Sequence, residues 1–295
     1  MKTIITVTNN PVTVWPIDNP QAITILSHGM MEHADRYTTL AEEMNHQRIY
    51  VYAIHHLGHG LNEEYPKGHW PKDGFSICTQ RLADLVSFAK KMHPDVPVFI
   101  LGHSMGSFIA QDYMANQPQV NGVILSGTNG PSALVKFGKI VAKIVSIFRS
   151  DTQPSPFLHH LSFDNFQRPF RPNRTTCDWL SRDNEQVDLY VADPLCGFTC
   201  TVGFYNSFMG GLNRIHTTKQ MANIPHDLPV HLFSGAKDPV GNMGKGVELL
   251  TSMYKKIGLR DVTMKLYPEG RHEMLNELNR NEVYRDVIDW ILNHC

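Results

Sequence analysis

Residues 98–110, VFILGHSMGSFIA, place Ser104 between Gly102 and Gly106, where one apolar run gives way to another. Two readings fit that spacing. Glycine permits a tight turn and serine tolerates one, so the stretch serves as punctuation between a strand and a helix. It also fits a nucleophile elbow, a strained turn whose small neighbours leave the serine hydroxyl open. A hydroxyl attacks a carbonyl only when a base takes its proton, so the second reading demands an imidazole and a carboxylate to orient it. Asp238 lies in GAKDPV, directly after the apolar run LPVHLFSG, and His272 lies in PEGRHE, directly after VTMKLY. A lone Asp in a turn is ordinarily a cap or an Asx-turn, and a lone His a surface or packed residue. Three such residues, each at a strand end and in a workable chain order, favour the chemical reading. Ser104 is then the nucleophile, His272 the base and later the acid, and Asp238 the group that fixes the imidazole tautomer.

Such a reaction develops charge on the carbonyl oxygen, and donors must meet it. The residue after the nucleophile, Met105, offers its backbone N–H. The loop SHGMMEH (27–33) follows an earlier apolar run, and the N–H of Met30 after the His28-Gly29 turn is the natural second donor. Losing one such donor typically adds about 2.7–4 kcal/mol to the barrier.

The elements that must position these residues follow from periodicity. AITILSH (22–28), IYVYAI (49–54), VPVFILG, VNGVILSG (120–127), LPVHLFSG (228–235) and VTMKLY (262–267) read as strands. The N-terminal MKTIITVTNNPVTVWP reads as two short strands about a turn at Asn9-Asn10-Pro11, not as a secretory signal. Apolar residues recur at helical spacing in Tyr37, Leu40, Ala41 and Met44; in Leu82, Leu85, Val86, Ala89 and Met92; near 245–256; and in Val283, Val287, Trp290 and Ile291. This rhythm predicts βαβ units, an α/β fold and a mostly parallel sheet. It stops after Gly127 and resumes near 226, so residues 1–128 and 226–295 form the core and 129–225 an inserted cap.

Composition sets the outer limits. The 295 residues are 42% hydrophobic and 19% charged, an ordinary globular balance, and a net charge of -1 gives no global field for nucleic acid. Five scattered cysteines, Cys78, Cys177, Cys196, Cys200 and Cys295, fit reduced thiols in a cytoplasm better than a disulfide framework. No apolar stretch is long enough for a membrane span. His55, His56 and His59 cluster in HHLGHG, but Gly58 and Gly60 preclude a regular helix face and no carboxylate keeps them company, so no metal is expected. Cys196 and Cys200 read as packed thiols. No cofactor is implied.

ALVKFGKIVAKIVSIFR (133–149) carries Leu134, Phe137, Val141, Ile144, Val145 and Phe148 at helical spacing, with Lys136, Lys139 and Lys143 on another face. The favoured reading is a lid helix whose apolar underside covers the site and whose lysines are solvated. The other is transient contact with an anionic membrane surface. Phe157, Leu158, Phe163, Phe166, Phe198, Phe204 and Phe208 add apolar surface in the same insertion. All of this points to a substrate with an acyl chain.

ILSHGMMEHADRY, HHLGHG, GHSMGS, SGAKDPV and EGRHEMLNE together resemble the monoacylglycerol lipase and lysophospholipase branch of the α/β-hydrolases, and DPLCGF resembles a stretch of bacterial lysophospholipase-like members. The resemblance runs from residue 22 to 277. It implies an eight-stranded sheet with a lid, Ser104, Asp238 and His272 as triad, and oxyanion donors on Met30 and Met105. The sequence departs from the family at His55, where relatives carry Asp, which bears on loop geometry more than on the reaction. The expected activity is carboxylic ester hydrolysis through an acyl-enzyme, on a monoacylglycerol or a lysophospholipid. The alternatives are a short-chain carboxylesterase, an aminopeptidase with Glu32 or Glu269 holding the substrate's amino terminus, or a catalytically silent binding protein.

Overall fold

The computed structural model describes residues 2–116 and 118–295, apart from the side chains of Leu134 and Lys136. The sequence expectations for those two side chains therefore lie outside the described residues. In chain order the elements are β1 (Thr3–Val7), β2 (Asn10–Trp15), β3 (Ala22–Ser27), α1 (Thr38–His46), β4 (Ile49–Ile54), α2 (Gly74–Met92), β5 (Val98–His103), α3 (Met105–Met114) and β6 (Gly122–Ser126). Five helices follow before the next strand: α4 (Ala133–Phe148), α5 (Pro156–Gln167), α6 (Asn184–Ala192), α7 (Val202–Ile215) and α8 (Thr218–Met221). The chain ends with β7 (Val230–Gly235), α9 (Lys245–Lys256), β8 (Val262–Tyr267) and α10 (Arg280–Leu292).

The strands form one eight-stranded sheet in the order β1-β2-β4-β3-β5-β6-β7-β8. β1 and β2 pair antiparallel with their neighbours, and all pairings from β4 to β8 are parallel. The first hairpin turns at Thr8 and Asn9, both with positive φ, so Asn10 and Pro11 belong to β2 and not to the turn. The reason is the tight hairpin itself, which needs left-handed residues at its centre; proline cannot adopt that conformation.

The pleat explains why the central strands are apolar throughout. On β5, Val98 and Ile100 face α2, α3 and α9, with Leu82, Ile109 and Leu250 in the same cluster. Phe99 and Leu101 face α1 and α10, where Leu40, Val283 and Val287 cover them. Both faces of a parallel sheet are covered, so both need apolar side chains. The chain leaves β3 for β4 on one side and returns to β5 on the other. Ser27 of β3 lies opposite Gly102 of β5, and the crevice beyond their carboxyl ends is where such sheets bind ligands.

Candidate active site

The elbow at Ser104 is built by what surrounds it. Ser104 has φ 49° and ψ -117°, a left-handed conformation that costs energy for a side-chain-bearing residue. It is pinned there by its own N–H, which donates to Ser126 O of β6 at 2.9 Å. A Cβ on Gly102 would lie 2.6 Å from Gly106 O, and one on Gly106 would lie 1.9 Å from Ser27 O. Only glycine at both positions lets α3 start this close to β3. The turn is thus more than punctuation, because the packing enforces its strain.

The loops after β7 and β8 bring the other two residues together. Lys237 N–H donates to Gly270 O at 2.9 Å, and a Cβ on Gly235 would sit 2.0 Å from that same oxygen. In this tight junction His272 Nδ1–H donates to both carboxylate oxygens of fully buried Asp238, at 3.0 and 3.1 Å. Ser234 Oγ–H and Val240 N–H also donate to that carboxylate, at 2.9 and 2.8 Å. Burial alone would raise the Asp238 pKa, but the His272 charge and these donors outweigh it and hold Asp238 below the ordinary carboxylate range. For His272 burial favours the neutral ring, and the negative charges of Asp238, Glu273 and Glu32 reverse that, so its pKa is raised. With Nδ1 committed to Asp238, Nε2 is the nitrogen left to serve as base.

Ser104 and His272 open into a cavity of about 680 Å³ beneath α4, α5 and α7. Met30 and Met105 both line it. The rest of the lining is mostly apolar, with Phe108, Val135, Leu158, Phe163, Phe208 and Leu212 among it, and is interrupted by Asn129, Ser162, Asn165, Asn242 and Lys245.

Several contacts around the site were not part of the sequence reading. Trp179, from the insertion, lies with its ring 5.0 Å from that of His272 at 31°, and His103 approaches from the other side at 4.8 Å. Glu32 accepts from Gly29 N–H at 2.5 Å and from Tyr37 Oη–H at 2.8 Å. Arg36 donates to Glu32 at 2.7 Å and, through both terminal nitrogens, to Glu273 at 2.7 Å. Glu32, Arg36 and Tyr37 all stand in the quoted stretch HGMMEHADRY, where Glu32 and Arg36 at i, i+4 were the available signal. Trp179 left none, because its approach depends on the path of the insertion.

Two expectations meet a physical limit here. Glu32 is already engaged by three donors, and Glu269 is exposed and outside the cavity lining, so neither is free to hold an amino terminus. The α4 helix also differs from a simple lid. Val135, Phe137, Gly138 and Ala142 line the cavity, but Ile140, Ile144, Ile147 and Phe148 form a second apolar strip that is 50–81% exposed. The nitrogens of His55, His56 and His59 turn to different partners, Thr13 Oγ1, Ser27 Oγ and Leu57 O. His55 accepts from Leu61 N–H on Nδ1, which leaves Nε2 to donate to Thr13 Oγ1 at 2.9 Å. Among the described residues one mixed cluster has ligand atoms within 4.8 Å of one another, His33, Asp193 and Cys196. There His33 and Asp193 hydrogen-bond each other at 2.8 Å, and burial pushes the Cys196 thiol up, which makes the group a brace between loop and insertion.

The family model for serine aminopeptidase, S33, matches residues 18–279. The chain belongs to that family. Its relatives place it in the monoacylglycerol lipase-like branch of the α/β-hydrolases. It is 30% identical to a monoacylglycerol lipase of Mycolicibacterium smegmatis over 95% of this chain and 92% of the relative, and 28% identical to the monoglyceride lipase of Rattus norvegicus over 94% and 84%. Among solved structures, a thermostable carboxyl esterase from Bacillus coagulans in complex with glycerol superposes with a TM-score of 0.90 at 27% identity, covering 99% of this chain and 98% of that one. This hydrolase therefore shares fold and family with ester-cleaving enzymes along nearly its whole length.

Proposed function

We propose that this protein hydrolyses the ester bond of monoacylglycerols through an acyl-enzyme on Ser104, with His272 as base and acid and Asp238 as its orienting partner. Residues 129–225 act as the lid. The observation that carries the reading is the cavity itself: Ser104 and His272 both line it, and the remainder is a mostly apolar chamber sized for an acyl chain. His272 takes the serine proton as Ser104 Oγ attacks the carbonyl, and the N–H groups of Met30 and Met105 receive the developing oxyanion. His272 then returns the proton to the departing glycerol oxygen, and a water repeats the sequence to release the fatty acid. The outward apolar strip of α4, with exposed Lys139 and Lys143 beside it, supports docking on an anionic lipid surface from which such substrates are drawn.

The test is fatty-acid release from a monoacylglycerol and from a lysophospholipid with the same acyl chain, with Ser104→Ala as blank. Preference for the monoacylglycerol supports the proposal, and preference for the lysophospholipid replaces it with a lysophospholipase. Cleavage of a short soluble ester alone would leave a general carboxylesterase.

A further inference from the structure

We infer that Arg36 is a positioning residue that locks the oxyanion loop to the histidine loop, and that the carboxylates it bridges supply negative charge to His272 when that ring takes the serine proton. The inference rests on the roles proposed for Ser104 and His272, and it concerns residues that those roles do not use.

Three observations converge on it. The first is connectivity. Glu32 stands three residues beyond Gly29, and the Gly29 N–H donates to its Oε1 at 2.5 Å, which fixes the His28–Gly29 peptide, one before the peptide that carries the Met30 N–H. Glu273 is the residue next to His272, and its N–H donates to Leu180 O at 2.7 Å. The Arg36 guanidinium spans the two, with one bond to Glu32 and a two-pronged bond to Glu273, all at 2.7 Å. Both halves of the machinery, the donor loop after β3 and the base loop after β8, are thus held by one planar cation. Lysine cannot copy that geometry, because its ammonium is a point charge without a fork.

The second observation is isolation. Glu32 is 3% exposed and Glu273 5%, and the Arg36 guanidinium lies over the Tyr190 ring at 4.8 Å. Tyr190 Oη–H in turn donates to Met31 O at 3.0 Å, so the insertion closes the network from above. A buried ion cluster is a costly way to hold a loop that an apolar contact could hold. Its charge has a use here.

The third is the charge balance. Two carboxylates against one guanidinium leave one negative charge in excess. The groups that face His272 are Asp238 from the loop after β7, Glu273 on its own loop, Glu32 from the loop after β3, and His103 from the end of β5. Burial keeps His103 neutral, with its pKa down to about 4, so the carboxylates dominate. They favour the imidazolium that forms as Ser104 attacks.

The experiment compares Arg36→Lys, Glu273→Gln and the unaltered protein by kcat, KM and the pH profile of kcat/KM on p-nitrophenyl butyrate, with thermal melts to give the folded fraction. Arg36→Lys is expected to lower kcat by about 10- to 100-fold per folded molecule and to leave KM within a few-fold, since loop geometry is lost and charge kept. Glu273→Gln removes a negative charge beside His272, so that ring loses its proton more readily and the acid limb of the profile moves to lower pH. A merely structural cluster would give activity losses that follow the folded fraction, with the limb unmoved. Either that pattern or an Arg36→Lys variant with unaltered kcat overturns the inference. Failure of the unaltered protein to cleave the ester would instead sink the hydrolase roles themselves.

Discussion

Helices α7 and α4 lie against each other above the cavity, and both are rich in apolar residues, yet the rest of the molecule treats them differently. α7 is absorbed into the core. Phe204 packs on Trp70 at 4.5 Å between ring centroids, and Phe208 reaches Phe75 on α2 and Phe108 on α3 at about 6 Å. Its Arg214 pairs with buried Asp112 of α3 at 2.6 Å. α4 has one inward strip on the cavity and one outward strip left to solvent, where Ile147 is 71% and Phe148 81% exposed. A roof of two such helices combines a fixed wall with a greasy outer surface. The wall shapes the cavity, and the outer surface is left to solvent among the described residues.

Ser104→Ala sets the scale against which both helices are judged. It should reduce ester hydrolysis by on the order of 10⁴- to 10⁶-fold while the melting temperature stays put. The substitution removes only a hydroxyl in the cavity lining and disturbs neither helix. Residual activity near that of the unaltered protein would mean that the reaction runs elsewhere.

Next come the aromatic anchors of the two helices, taken as a pair. Phe208→Ala empties a site bounded by four other rings, those of Trp70, Phe75, Phe108 and Phe204, and should cost about 3–5 kcal/mol in denaturant unfolding. Phe148→Ala on α4 should stay within about 0.5 kcal/mol, because that side chain touches mostly water. Equal costs at the two positions would break the distinction between wall and outer surface.

The third test uses pH. His28, His56 and His59 lie buried beneath the wall side, with the His59 ring 5.9 Å from that of Phe204. Burial pushes all three below the ordinary histidine range, to about 4 for His59, and His55 also to about 4. The unfolded chain binds protons on these rings near pH 6.5, where the folded one does not. Stability is therefore fully present above about pH 6.5 and falls as pH drops toward 4, by up to about 1.4 kcal/mol per pH unit for each ring. His272, with its raised pKa, acts in the opposite sense but is a single group. Unfolding midpoints measured between pH 7 and 4.5 check the slope, and a flat profile would show that these rings titrate normally.

The comparison also marks what the sequence made legible. The strands from β3 to β7 were readable because parallel strands buried on both faces leave unbroken apolar runs, and β8 and α9 were readable from β-rich composition and helical apolar spacing. The elbow glycines, Asp238 and His272 were readable because each must stand at a strand's carboxyl end. The hairpin turn was displaced by two residues because Asn-Asn-Pro carries turn signals at every position and only pairing with β4 selects one. The outward strip of α4 was misassigned for a related reason. Ile144 and Phe148 share helical spacing with Phe137, but spacing cannot say which side meets the cavity when both sides are apolar. Arg36, Glu273 and Trp179 stayed unread because their partners lie in distant segments, 237 residues apart in the case of Arg36 and Glu273.

The smallest expected effect on stability carries the sharpest test of that outer strip. Ile147→Ser with Phe148→Ser should leave the fold and the hydrolysis of p-nitrophenyl butyrate unchanged, since neither residue lines the cavity. Binding to phosphatidylglycerol vesicles, read by co-sedimentation, should fall, and so should turnover of monoacylglycerol presented in those vesicles. Charge reversal at Lys139 and Lys143 separates the two sources of attraction. Each lysine near an anionic surface contributes about 1 kcal/mol that salt screens away, whereas the apolar share survives high salt. Vesicle binding that is indifferent to all four substitutions would make the exposed strip a feature of α4 alone, with the wall helix and the cavity left intact.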